Sequence, residues 1–201
     1  MNNDVLTNRR DLQIVSRLIE PDSRILDLGC GDGAFLAYLK KTKNASVLGL
    51  ELEQNAICQC IKNGVAVIQS NLNRKLDFAG DKSFDYVILS HTLQELENPE
   101  LLLAEIVRVG KKAVVSFINF GHIVNRIQLM FSGKMPRNKA LPHEWYNTPN
   151  IHLGTIADFQ RLCKTHNIKI VEAIALGSRW DAPVHFGHNL FAHGCVFVLE
   201  S

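Results

Sequence analysis

The sequence predicts an α/β fold in which helices cover both faces of a mainly parallel sheet of seven strands. Short apolar runs rich in β-branched residues alternate with stretches whose apolar residues recur at helical spacing. A loop with three glycines follows the first apolar run and leads into a helical stretch. Because strands separated by helices pair in parallel, this alternation favours a sheet that is buried on both sides. The 201 residues contain no repeat, low-complexity tract or linker, so we expect one domain over residues 1–201.

The first half of the chain reads as three strands with two helices between them. We predict strands at 24–28 (RILDL), 45–50 (ASVLGL) and 65–69 (VAVIQ), and helices at 33–41 and 54–64. The second helix ends at Asn63-Gly64, which is typical of helix C-termini because glycine adopts a left-handed conformation without strain.

The second half adds four strands, two helices and an irregular insertion. We predict strands at 84–90, 112–119, 168–176 and 194–200, and helices at 99–109 and 155–167. Pro99 suits the first turn of a helix, and Thr155 with Asp158 forms a variant of the capping box. Residues 177–193 read as a loop, so the last two strands can be antiparallel. Residues 120–154 form an insertion with one short helix at 123–131.

Composition and charge exclude several classes of function. A net charge of +2 on scattered Lys and Arg provides no basic patch for nucleic acid or a membrane surface. No apolar run is long enough to span a membrane, and the first twenty residues lack the apolar core of a signal peptide. Five cysteines at irregular spacing do not form a disulfide framework, which favours a reducing cytoplasm.

We expect no metal site. Cys58 and Cys60 are two residues apart in a predicted helix, so they should point to different faces. His185, His188 and His193 lack a carboxylate or thiol that would complete a recognisable ligand spacing.

The glycine loop LDLGCGDGAF (26–35) is the clearest indication of a ligand site. Gly29, Gly31 and Gly33 remove side chains where the backbone turns and where a ligand can approach the N–H groups of the helix start. The loop also satisfies the dinucleotide pattern G-x-G-x-x-A, so the glycines alone do not separate NAD from S-adenosylmethionine. Asp27, inside the strand end, suits a cationic or amino-bearing ligand better than a pyrophosphate. The chain also lacks the Tyr-x-x-x-Lys pair of short-chain dehydrogenases.

Four stretches together resemble the class I S-adenosylmethionine-dependent methyltransferase family: ILDLGCGDGAF, VLGLE, VIQSNL and FDYVILSHTLQEL. The resemblance covers about residues 10–120 and implies a Rossmann-like sheet whose last strand is antiparallel. It also implies S-adenosylmethionine as the cofactor, with the methionine half near Asp27 and the glycines. Glu51 matches the acid that accepts the ribose hydroxyls, because the two oxygens of a carboxylate can take two donors.

The same resemblance assigns the rest of the cofactor site. Leu52 and Leu72 would enclose the adenine ring, and Asn71, where the family usually has Asp, would accept the adenine amino group. The predicted cofactor-binding residues are Asp27, Gly29, Cys30, Gly31, Gly33, Glu51, Leu52, Asn71, Leu72 and Ser90.

The second half is similar to a narrower family, the methionine biosynthesis protein MetW. The stretches RVGKKAVVSFINFGH and GKMPRNKALPHEWYNTPNIHLGTIADF carry this resemblance, which runs from about Asp11 to Leu176. Family members accompany the homoserine O-acetyltransferase of methionine synthesis, so the resemblance implies that enzyme as a partner. It implies a methyltransferase fold without supplying a methyl acceptor. Asn147 replaces an Asp of the family pattern within the insertion, which we interpret as a lid or partner-contact segment.

Candidate catalytic residues come from loops that face the cofactor in this fold. Histidine is the natural base near neutral pH, and a base is needed only if the methyl acceptor must lose a proton. The candidates are His91, His122, His143, Tyr146 and His152, with Gln94 and Asn119 nearby.

Three functions remain as hypotheses. The first is a small-molecule methyltransferase with an unknown acceptor, and the second is a non-catalytic partner of homoserine O-acetyltransferase. The third, an NAD-linked oxidoreductase, is disfavoured because no second domain is present to hold a hydride acceptor.

Overall fold

The computed structural model describes residues 4–7, 9–177, 184 and 186–201. Its strands are β1 Arg24–Leu28, β2 Ser46–Glu51, β3 Ala66–Gln69, β4 Phe84–Ser90, β5 Gly110–Ile118, β6 Lys169–Leu176 and β7 Gly194–Glu200. They form a seven-stranded sheet in the order β3-β2-β1-β4-β5-β7-β6. β7 is antiparallel to β5 and β6, and the other pairs are parallel. The predicted α/β class and antiparallel last strand are confirmed.

The helices confirm most of the predicted positions. They are α1 Asp4–Thr7, α2 Arg10–Leu18, α3 Ala34–Lys43, α4 Gln54–Lys62, α5 Pro99–Val109, α6 Ile123–Ser132, α7 Ile156–Thr165 and α8 His188–Phe191, with a 3₁₀ turn at Leu93–Glu95. α1 and α2 were not predicted. The prediction of a loop over 177–193 was wrong at α8, a single turn too short to produce a helical periodicity. His185 lies outside the described residues.

Helices cover both faces of the sheet because successive side chains of each strand point to opposite sides. On one face, Ile25 packs in a buried cluster with Val15 of α2 and Leu36 of α3. On the other face, Leu26 belongs to a cluster with Leu103 of α5 and with residues of α7. The two apolar layers fix the sheet between α2, α3 and α4 on one side and α5 and α7 on the other.

The strand order places one crevice at the carboxyl ends of the central strands. From β1 the chain continues outward through β2 and β3, then crosses back to β4 on the other side of β1. Ligands of open α/β sheets bind at such a reversal, outside the carboxyl ends of the strands. The glycine loop follows β1 directly, so the reversal between β1 and β4 positions it at this crevice.

α7 begins with the predicted capping box. The Thr155 hydroxyl accepts from the Asp158 backbone N–H at 3.2 Å, and the Asp158 carboxylate accepts from the Thr155 N–H at 3.3 Å. This cap ends the insertion and starts the helix at a defined residue.

Across the described ranges, no helix is both long enough and apolar enough to cross a membrane.

Candidate functional site

The glycine loop is held against β2 in a conformation that requires glycine. The N–H groups of Gly29 and Cys30 both donate to the Leu50 carbonyl, at 2.8 and 3.1 Å. Gly29 and Gly33 have φ angles of 76° and 72°, in the left-handed region. A Cβ atom on Gly29 would lie 2.8 Å from the Thr92 hydroxyl. The loop therefore turns tightly between the ends of β1, β2 and β4.

The Glu51 carboxylate joins this loop to the end of β2. One oxygen accepts the Gly31 N–H at 2.9 Å, and the other accepts the N–H groups of Leu52 and Glu53 at 2.7 and 3.0 Å. A carboxylate has about four acceptor positions, so about one remains for a further donor. Bonds from N–H groups to an ionised acceptor are strong, so Glu51 orders the loop before any ligand arrives.

Asp27 is a buried carboxyl group at the end of β1. Among the described residues, no hydrogen bond reaches its carboxylate, and its exposed fraction is 5%. Burial raises the pKa of Asp27 to about 7, while Arg9 acts to lower it and Glu51 to raise it further. A cationic ligand group beside Asp27 would stabilise its ionised form.

Arg9 and Asp11 form an ion pair that reasoning from the sequence missed. The Arg9 guanidinium donates to both Asp11 oxygens, at 2.8 and 3.0 Å, and the hydroxyls of Ser90 and Ser116 donate to Asp11 at 2.7 and 3.2 Å. Burial would raise the pKa of Asp11, but the Arg9 hydrogen bond, nearby His91 and the Ser90 hydroxyl hold it well below its usual range. The pair therefore fastens the start of α2 to the ends of β4 and β5.

His91 lies directly after β4 and has a strained backbone. Its φ angle is 59°, which is uncommon for a residue other than glycine and clusters at functional sites. Its backbone N–H donates to the Ser116 carbonyl at 2.9 Å, and its Nε2 is 3.6 Å from an Asp11 oxygen. Burial lowers the pKa of His91, opposed by Asp11 and assisted by Arg9. The lowered pKa favours the neutral ring, which has a nitrogen that can accept a proton.

The predicted adenine-binding residues lie at the ends of β2 and β3. The Ser70 N–H donates to the Glu51 carbonyl at 3.0 Å, which brings the two strand ends together. Leu52 is 59% exposed, whereas Leu72 is partly buried against the apolar cluster that includes residues of α5. The Asn71 side-chain carbonyl accepts the Asn73 N–H at 2.9 Å, a local turn that a carboxylate would also stabilise.

The predicted cofactor residues thus lie together at the carboxyl ends of the strands. Among them, Ser90 donates its hydroxyl hydrogen bond to Asp11 and belongs to the Asp11 network. The candidate catalytic residues do not converge in the same way. His122 is buried, caps α6 by accepting the Val124 N–H at 3.2 Å, and stacks on His193 with ring centroids 3.8 Å apart. His143, Tyr146 and His152 are exposed in the insertion.

Gln94 and Asn119 fix the end of the insertion. The Gln94 backbone carbonyl accepts the N–H groups of Ile151 and His152 at 2.9 and 3.0 Å, and its side chain donates to the His152 carbonyl at 3.2 Å. Asn119 is buried and donates to the Ala192 carbonyl at 2.8 Å. Both amides therefore have structural hydrogen bonds at the boundary of the insertion.

A family model described as methionine biosynthesis protein MetW matches residues 9–199. The chain belongs to the MetW family. The chain is also 35% identical over 185 residues to the bifunctional methionine biosynthesis protein MetXA/MetW of Rhodopirellula baltica. The match covers 88% of this chain but only 29% of that relative, so the chain spans less than a third of the relative's length.

Solved structures confirm the Rossmann-like methyltransferase fold of the MetW chain. An S-adenosylmethionine-dependent methyltransferase from Mesorhizobium loti has a TM-score of 0.71 at 16% identity, covering 98% of this chain and all of that one. A TehB-like methyltransferase from Corynebacterium glutamicum has a TM-score of 0.63 at 19% identity, covering 96% and 87%. The [4+2]-cyclase SpnF has a TM-score of 0.68 at 13% identity, covering 96% and 80%. At these identities the likeness shows the fold alone.

Proposed function

We propose that this MetW-family chain binds S-adenosylmethionine and acts in methionine biosynthesis together with a homoserine O-acetyltransferase. The observation that carries the proposal is the relative in which a MetW region and a MetXA region occur in one polypeptide. Regions joined in one chain are held at high effective concentration, which favours a functional association between them. We propose that this chain associates with the acyltransferase in the same way.

The strand-end site fits S-adenosylmethionine in three respects. Gly31 has no atom within 4 Å of the position where a Cβ would lie, so a ligand can approach the backbone there. Glu51 keeps about one acceptor position for a ribose hydroxyl. Asp27 offers a buried negative charge to the amino or sulfonium group of the methionine half. Leu52 and Leu72 would flank the adenine ring, with Asn71 as acceptor for its amino group.

Methyl transfer is the second candidate function, and the strained backbone of His91 and its position beside Asp11 favour it. S-adenosylmethionine supplies an electrophilic methyl group to whatever acceptor is aligned with it. His91 would remove a proton from that acceptor, and Asp11 would stabilise the imidazolium that forms, since its oxygen is 3.6 Å from His91 Nε2. The acceptor would be a small molecule bound between the loops after β4 and β5.

The proposal also covers the domain organisation of the chain and its location in the cell. We propose one methyltransferase-like domain over residues 1–201, with residues 120–154 as a lid or partner-contact segment. All five cysteines are free, which supports a reducing cytoplasm as the location.

The association with the acyltransferase is tested by mixing the purified chain with homoserine O-acetyltransferase from the same organism. We expect the two proteins to elute together in gel filtration, and we expect acetyl transfer to homoserine to be faster in the mixture. An acyltransferase that is fully active alone and elutes separately from this chain would contradict the proposal.

The affinity for S-adenosylmethionine should rise with pH through about 7. A cationic group binds ionised Asp27 better than neutral Asp27, and in the free protein this carboxyl ionises at a pKa of about 7. At about pH 6 the affinity should therefore be roughly tenfold below its value at high pH. Because the folded pKa exceeds the ordinary value of 3.8, the free protein loses stability as pH rises between these pKa values.

Calorimetry over this pH range measures both the affinity and the proton released on binding. The Asp27→Asn variant is the control, since it keeps the size of the side chain and removes its titration. The explanation is wrong if the wild type and Asp27→Asn have the same pH profile.

A further inference from the structure

Helix α6 exposes the apolar side chains that a surface helix ordinarily turns inward. Among its ten residues only Asn125 is buried, whereas Val124, Ile127, Met130 and Phe131 are exposed. Met130 and Phe131 are exposed to 70% and 80% of their surface. The spacing of these four residues places them along one side of the helix. A contiguous exposed apolar strip of this kind marks an interaction site in a folded protein.

The insertion that follows α6 carries two further exposed aromatic residues. Trp145 and Tyr146 are exposed to 72% and 70%, and their rings contact each other edge to face with centroids 5.8 Å apart. Trp and Tyr are enriched among the residues that contribute most to protein interfaces. We call Val124, Ile127, Met130, Phe131, Trp145 and Tyr146 the α6 surface.

Hydrogen bonds connect the two parts of the α6 surface. The Arg137 backbone N–H donates to the Gln128 side chain at 3.2 Å, and its guanidinium pairs with Glu144, the residue before Trp145. The Asn138 amide also donates to the Asn125 side chain at 2.7 Å. These bonds hold the backbone of the insertion to α6 before a partner binds, which lowers the entropic cost of binding.

Asn147 stabilises the turn that leads into Trp145. The Asn147 side-chain carbonyl accepts the Glu144 N–H at 3.0 Å, and its own N–H donates to the Glu144 carbonyl at 3.2 Å. An aspartate carboxylate would accept the same bond, so Asp at this position would change the charge of the turn and keep its conformation.

The charge around α6 specifies the kind of partner. Residues 121–144 contain Arg126, Lys134, Arg137 and Lys139 and one acidic residue, Glu144, which pairs with Arg137. Arg126 and Lys134 are exposed beside the apolar strip. A complementary surface has an apolar centre bordered by carboxylates, since opposite charges at a rim steer two proteins together.

We infer that the α6 surface is where this chain docks onto the homoserine O-acetyltransferase, against an apolar face bordered by acidic residues. The identity of the partner rests on the proposed function, and the fused MetXA/MetW relative is what favours it over a second copy of the chain or a lipid surface. In the fused relative, the covalent link holds the two regions close together. Between separate proteins, an interface such as the α6 surface would hold them together instead.

The double substitution Met130→Ser/Phe131→Ser tests the inference. Interface residues of this size at the centre of a contact change affinity strongly, so binding to the acyltransferase should weaken about a hundredfold in calorimetry. The matched control is Ile61→Ser/Leu101→Ser, which removes two similarly exposed apolar side chains from α4 and α5. The control should bind within about threefold of the wild type, because it lies outside the interface. Binding of S-adenosylmethionine and the circular dichroism spectrum report whether each variant is folded.

Each result separates the inference from the proposed function. If the wild type and the Met130/Phe131 variant bind the acyltransferase equally well, the inference is overturned and the proposed function stands. If the wild type does not bind the acyltransferase, both fail. If only the variant then loses self-association, the surface binds a second copy of the chain. If only the variant loses binding to vesicles of phosphatidylcholine and phosphatidylserine, the surface binds lipid.

Discussion

Replacing Glu51 with alanine is expected to weaken S-adenosylmethionine binding by about a hundredfold or more. The variant loses the acceptor for a ribose hydroxyl, and it also releases the Gly31 N–H that orders the glycine loop. Hydrogen bonds to a charged group contribute about 1.5–3 kcal/mol each, and about 2.7 kcal/mol corresponds to a hundredfold change in affinity. Calorimetry with the wild type and Glu51→Ala measures the difference.

Glu53→Ala is the matched control for this experiment. It removes the same charge two residues away, where the Glu53 side chain accepts the Ala56 N–H at the start of α4. We expect its affinity to remain within about threefold of the wild type, because an exposed charge at this distance is well screened. Equal affinities for Glu51→Ala and the wild type would show that Glu51 does not hold the cofactor. If the wild type releases no heat of binding with S-adenosylmethionine, the proposal that the chain binds this cofactor is wrong.

Replacing Asp11 with alanine is expected to lower the free energy of unfolding by about 3 kcal/mol. The substitution removes a buried carboxylate that accepts hydrogen bonds from Arg9, Ser90 and Ser116. These three donors then lack the acceptor that Asp11 provides. Removing one partner of a buried ion pair costs about 3–5 kcal/mol. The lower end applies here, because the Arg9 side chain is 41% exposed and can still reach water. Urea denaturation gives the measurement.

Asp81→Ala provides the comparison for the Asp11 variant. Asp81 pairs with Arg108 at 2.8 Å, but its side chain is 76% exposed, so the loss should be within about 0.5 kcal/mol. Similar losses for the two variants would mean that burial of Asp11 contributes nothing to the stability of its network.

The sequence predicts regular elements well where local residue types define their ends. β1, β4, β7 and α5 have the predicted bounds, and α5 begins at Pro99 as expected. α2 was missed, although Leu12, Val15 and Ile19 recur at helical spacing and are all buried. That periodicity was sufficient to find the helix.

The Asp11 network depends on contacts that a single sequence does not contain. Asp11 meets Ser90 and Ser116, which lie 79 and 105 residues further along the chain. Their proximity requires β4 and β5 to be adjacent and α2 to cross their ends, which is a property of the tertiary fold. The roles of the glycine loop and Glu51 remain predictions, although the structure brings them within hydrogen-bonding distance. The resemblance supplied those roles, because a strand-end carboxylate by itself has no fixed ligand.

The position of β7 has a consequence for synthesis of the protein on the ribosome. β7 is made after both β5 and β6, yet it lies between them in the finished sheet. One edge of β5 and one edge of β6 therefore have no native partner until β7 leaves the exit tunnel. Unpaired strand edges promote aggregation, so we expect the nascent chain to be most prone to aggregation during this interval.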